Sequence, residues 1–90
     1  MITFEFDSDG AAFTTDKALT KAEAVRVEAV LVELEQAFEI NISREVEITE
    51  AYGRSWPGMV YNYKFEKPLD YSEHVEDVYE QMCTKYQQGI

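Results

Sequence analysis

Residues 42–66, ISREVEITEAYGRSWPGMVYNYKFE, decide the fold. Ile42, Val46 and Ile48 alternate with Ser43, Glu45, Glu47 and Thr49, while Met59, Tyr61, Tyr63 and Phe65 alternate with Val60, Asn62, Lys64 and Glu66. A period of two sends successive side chains to opposite faces, so both runs read as strands with one face buried. Between them, Tyr52-Gly53-Arg54-Ser55-Trp56-Pro57-Gly58 carries two Gly and a Pro, which break the period and predict a loop. The expected unit is a hairpin with an acidic outer face, in which Lys64 stands opposite Glu45 or Glu47.

Upstream of this hairpin, Thr20-Lys21-Ala22-Glu23 is a capping box: hydroxyl and carboxylate each accept a backbone N–H of the first turn. A helix of about twenty residues follows, ending at Phe38 or Ile40. At 100° per residue, Ala24, Val27, Val30, Leu31, Leu34, Ala37 and Phe38 share one arc that can seal against a sheet. Lys21, Glu28, Glu35 and Glu39 point the other way, together with Val25, Ala29 and Val32, which have no core to join. Further upstream, Ile2, Phe4 and Phe6 alternate with Thr3, Glu5 and Asp7 and predict another strand. Asp7-Ser8-Asp9-Gly10 supplies turn chemistry, and a short return strand runs from Ala11 to Thr15.

Downstream, Pro68 stops the ladder, and Asp70-Tyr71-Ser72-Glu73 places a capping acid three residues before a Glu. Tyr71, Val75, Val78, Tyr79, Met82 and Tyr86 then recur at helical spacing, opposite Glu73, Glu76, Asp77 and Glu80. Lys85 suits the helix C-terminus, and Gln87-Gln88-Gly89-Ile90 is expected to fray. The order β-β-α-β-β-α predicts an α+β fold: an antiparallel or mixed sheet of three to four strands with both helices on one face. Ninety residues fit one domain, 1–90.

Composition narrows the function classes. The chain is 46% hydrophobic and 13% aromatic, enough to build a core, yet Lys+Arg is 8 against Asp+Glu 18, a formal net charge of -10. Such an excess opposes direct contact with a phosphate backbone or an anionic bilayer and calls for a basic partner. No apolar run is long enough to span a membrane. The single Cys83 offers no internal disulfide, and the first residues show no signal peptide, so a cytoplasmic location is expected (host cytoplasm if phage-encoded).

Motifs for chemistry are few. Glu5-Phe6-Asp7-Ser8-Asp9-Gly10 with Asp16 resembles a calcium-binding EF-hand loop over twelve residues, but Glu stands first, Asp last, and only four residues precede it. A hairpin turn is the expectation there. His74 and Cys83 lie about 180° apart on one helix, so they form neither a nucleophile pair nor a zinc site, and read as a surface histidine and a semi-buried thiol. Eighteen acids spread over exposed faces single out no catalytic pair. The expectation is a protein without catalytic residues, metal or cofactor. Trp56, two residues from Arg54, is either a partner anchor or a plug for the end of the sandwich.

The acids carry the functional expectation. From Glu28 to Glu50 there are seven Glu against Arg44. Carboxylates at i, i+4 on a helix repeat about every 6 Å, and at i, i+2 on a strand about every 6.6 Å. Both approach the spacing of phosphates along a nucleic-acid strand, so the surface can occupy the Lys/Arg channel of a nucleic-acid-handling enzyme or complex. In size and charge the chain is similar in type to phage-encoded inhibitors of host defence, the anti-restriction and anti-CRISPR proteins. Its strand, helix, strand, strand, helix order also looks like that of DinI-type modulators of the recombinase filament. The residues expected to meet the partner are Glu28, Val32, Glu35, Glu39, Glu45, Glu47, Trp56, Glu73, Asp77 and Glu80. The alternative is a structural or adaptor protein that self-associates, as a homodimer, or docks through the Val25, Ala29 and Val32 strip.

Overall fold

Alternation and helical spacing together produce six elements: β1 (Thr3–Phe6), β2 (Gly10–Thr15), α1 (Lys21–Phe38), β3 (Glu47–Tyr52), β4 (Pro57–Lys64) and α2 (Glu73–Lys85). They come from a computed structural model that describes residues 2–52, 57–87 and 89–90. The strands form one antiparallel sheet in the order β1-β2-β4-β3, which makes this a small α+β fold. Register aligns Phe4, Phe13, Tyr61 and Ile48 in a single row across the four strands. That row faces the helices. Phe4 and Phe13 have ring centroids 5.1 Å apart, within the range of favourable aromatic pairs.

Each helix is placed by its apolar stripe. In α1, Val27, Val30, Leu31 and Leu34 are buried, as the periodicity predicts, whereas Ala24 is exposed. Its capping box forms in full: the Glu23 amide donates to Thr20 Oγ1 at 3.2 Å, and the Thr20 amide to Glu23 Oε1 at 3.0 Å. In α2, Val78 and Met82 join the same core as Ile2, Phe6, Phe13 and Tyr61. Both helices therefore cover one face of the sheet and leave the other open. Full burial of a Leu or Phe side chain favours the folded state by roughly 1.5–3 kcal/mol, which makes this shared cluster the main cohesive term.

Several local expectations are corrected. The strand expected from Ile42 begins only at Glu47: Ile42 forms an isolated bridge with Phe65, because Arg44 ties this stretch to α1. The expected loop is shorter, since Tyr52 and Pro57 still pair in register. Ser72, not Asp70, caps α2, accepting from the Val75 amide at 3.2 Å. Tyr71 and Tyr79 stand outside the core, Tyr71 being 82% exposed. Near the C-terminus, the Ile90 amide donates to the Ile2 carbonyl at 3.0 Å. Ile48, although on the helix side, is 49% exposed, since the helices do not reach the edge strand β3.

Candidate functional site

The open face of the sheet carries the candidate site. Register places Glu5, Ala12, Asn62 and Glu47 in one row across β1, β2, β4 and β3, with all four on the solvent side. Three inter-strand steps of about 4.8 Å separate the two glutamates by about 14 Å at Cα. Between these acidic rails the floor is low, because the outward residues of β2 that line it are Gly10 and Ala12. The result is a groove of about 720 Å³. Asp7 and Asp9 extend the β1 rail and Glu45 the β3 rail, so five acids and one base, Lys64, line it.

Local chemistry fixes both rails. Asp7 Oδ1 accepts from the amides of Asp9 at 2.8 Å and Gly10 at 3.1 Å, an Asx turn that closes the first hairpin. Asp16, the last acid of the EF-hand-like spacing, stands beyond the far end of β2, about 20 Å from that turn at strand rise. The five acids therefore come from both hairpins instead of from one cation-binding loop. On β4, Asn62 Nδ2 donates to the Glu47 carbonyl at 3.2 Å, so the expected pairing of Glu47 with Lys64 does not form. Lys64 is in register with Gly10.

Three acids of α1 are bonded to cations outside that helix. Arg44 Nε and Nη2 both donate to Glu28, at 2.9–3.1 Å, while Nη2 also reaches Glu35 at 2.6 Å and Nη1 the Ile42 carbonyl at 2.7 Å. The Ile42 amide donates to the other Glu35 oxygen at 3.0 Å. The hydrogen bond from Arg44, and then that from Ile42, holds the Glu35 carboxyl below the usual carboxylate range. Glu28 and Glu35, two of the residues expected to meet a partner, are thus bonded to Arg44, and the Glu28 side chain stays half-exposed. Glu33 likewise receives Lys85 Nζ at 3.0 Å and the Tyr86 hydroxyl at 2.8 Å, joining α1 to α2. Lys85 is pushed up by that bond, and Tyr86 by burial.

The remaining expected partner residues do not converge. Glu45 and Glu47 line the groove, but Glu45 precedes β3 and lacks strand spacing. Glu39 caps α1 in a left-handed conformation. Glu73, Asp77 and Glu80 are exposed on α2, in the layer behind the sheet, and of these only Glu80 borders a second groove at the β1–β2 turn. Val25 and Val32 are 69% and 37% exposed, and Ala29 between them is exposed too. Trp56 and Arg54 lie outside the described residues. His74 Nε2 lies 2.7 Å from the Ala37 carbonyl, positioned to donate to it, and its ring stands edge-on to Phe38. Cys83 is exposed instead of semi-buried.

The residues expected from the sequence to meet a partner do not include Glu5, Asp7 or Asp9, although the strand periodicity sets Glu5 on the solvent face with Glu45 and Glu47. Only the antiparallel pairing of β2 with β4 sets those three acids opposite Glu45 and Glu47. Comparison of the chain with family models, curated proteins and solved structures finds no match. Chemically, the groove offers carboxylates on both sides of a shallow apolar and amide floor, an arrangement that receives cationic groups.

Proposed function

We propose that this protein is a small non-enzymatic inhibitor that docks by charge complementarity on a basic nucleic-acid-handling protein, in the manner of the phage anti-restriction and anti-CRISPR inhibitors. The observation that carries the reading is the acidic groove of the open sheet face, where Glu5 and Glu47 flank Ala12 and Asn62 in one row. A basic helix, about 10–12 Å across with its side chains, matches the roughly 14 Å between the rails. Its Lys and Arg would meet carboxylates where they otherwise meet phosphates, so mimicry lies in charge placement along two rails.

The test is capture of partners from lysate on the immobilised protein at low and high salt, with mass spectrometry of what is retained. Expected are nucleases, polymerases, recombinases or defence complexes that salt releases and that a Glu45→Lys/Glu47→Lys variant fails to retain. Retention unchanged by the reversals overturns the reading. A second reading, self-association through Val25, Ala29 and Val32, draws on the exposure of that strip. Light-scattering mass that rises with concentration, and is returned to the monomer value by Val25→Lys, would favour it.

A further inference from the structure

Behind the first hairpin lies the second groove, of about 510 Å³, and it differs in kind from the sheet face. Its floor is apolar: Phe6, Leu69, Val75 and Tyr79. Its rim is acidic, from Asp7, Glu76 and Glu80, with no Lys or Arg among its lining residues. Tyr71, 82% exposed, forms one wall and donates its hydroxyl to Glu76. Tyr79 packs edge-on against Phe6, with centroids 5.2 Å apart, and remains 45% exposed.

Two exposed tyrosine rings beside three carboxylates stand apart from the other described aromatic side chains, which are buried or half-buried. Alone, an apolar floor suits any greasy side chain, and an acidic rim any cation. The combination selects a group that is planar, cationic and carried on an apolar stem. A guanidinium stacks on an aromatic face while its edge donates to carboxylates, and its methylenes pack on the apolar floor. Lysine matches less well, because its ammonium is compact and strongly hydrated.

We propose that this groove is an anchor site for an arginine flanked by apolar residues in an extended segment of a basic partner protein. The inference deepens the inhibitor reading and rests on it for the partner's basic character. Phe6 and Asp7 line both grooves, so one partner can place its basic surface on the sheet face and its arginine around the turn, without a gap. The sheet face would then steer association, and the anchor would slow release, as central aromatic and arginine contacts do at other interfaces.

The test is an amide-resolved NMR titration of the intact protein with acetyl-Leu-Arg-Leu-amide, compared with acetyl-Leu-Gln-Leu-amide and with acetyl-triarginine amide. Saturable millimolar shifts are expected at Phe6, Ser8, Leu69, Val75 and Tyr79 for the arginine peptide, with the glutamine peptide about fivefold weaker. Tyr71→Ala and Glu80→Gln, both at exposed sites, should each weaken the arginine peptide by a similar factor and leave the rest of the spectrum unchanged. Equal binding of the Arg and Gln peptides, shifts confined to the sheet face, or no shifts overturns the anchor. Triarginine shifting Glu5, Asp9 and Glu47 without touching Tyr79 overturns the anchor and leaves the sheet-face reading standing. Anchor shifts together with charge reversals that change no partner capture would overturn the inhibitor reading instead.

Discussion

Glu5 and Glu47 occupy opposite edge strands yet share one row of the sheet, with only Ala12 and Asn62 between them. Neither glutamate is near the other in sequence. The relationship exists because β4 returns to pair with β2, bringing the two hairpins into one surface. Exposed carboxylates at this distance barely repel each other across water at physiological salt, so the arrangement costs the fold little. The Glu5→Lys/Glu47→Lys variant should therefore keep the wild-type circular dichroism and melting temperature to within a few degrees. Its association with a basic partner should slow by tenfold or more at low salt and much less at high salt, measured by stopped-flow or surface binding. Equal slowing at both salt concentrations would show that shape, not charge, had been lost.

The groove floor makes a separate claim about Gly10. A Cβ added there would collide with the backbone carbonyl of Tyr63, which cannot yield without breaking the β2–β4 ladder. Gly10→Ala should cost about 2 kcal/mol or more, read as a lower urea midpoint with an unchanged slope. Ala12→Ser, one row along on the same outward face, should change stability by less than about 0.5 kcal/mol.

What could be read from the residues follows a physical boundary. Elements set by local chemistry were legible: the Thr20–Glu23 box, the Leu31 and Leu34 stripe, and the alternation of Met59, Tyr61 and Tyr63 all appear where the sequence predicts them. Features set by contacts across the fold were not. Arg44 straightens residues 43–46 out of the sheet by bonding to α1, sixteen positions away from Glu28, and no period encodes that. Tyr71 and Tyr79 carry helical spacing like Val78 and Met82, but α2 begins at Glu73, which leaves Tyr71 before the helix, and Tyr79 packs against Phe6 at the edge of the core with its other side exposed. The number of acids is plain in the sequence. Which were committed to internal ties, and which faced each other across the open sheet, depended on strand order.

Glu39 offers a gain in stability. It sits at φ 53, ψ 47, in the left-handed region that disfavours any residue with a Cβ. The conformation persists because the Glu39 and Ile40 amides both reach the Glu35 carbonyl, closing the helix in a Schellman-type turn, while Ile40 packs on the core. Glu39→Gly should keep that closure without the steric cost and raise stability by about 1 kcal/mol in urea. If Glu39 itself contacts the partner, the same variant will lose affinity while gaining stability, a combination that separates the two roles.

Arg44 links stability to pH. Its guanidinium bonds Glu28 and Glu35 and is held charged by both, while Glu35 is held below the usual carboxylate range by Arg44 first and the Ile42 amide second. In the unfolded chain a Glu carboxyl takes up its proton near about pH 4.3. The folded carboxyl resists until lower pH, so through that window the unfolded state binds more protons and stability falls as pH drops. The contribution of the tie is thus complete above about pH 5 and lost as pH falls through the lowered value of the folded protein. Solvent on one side of Arg44 screens the pair, which keeps the expected cost of Arg44→Ala at neutral pH to roughly 1 kcal/mol. Urea midpoints taken from neutral pH down to about pH 3 should show wild type and variant converging at the acid end. A difference that stays constant across the range would mean that Arg44 holds residues 42–44 through its packing alone.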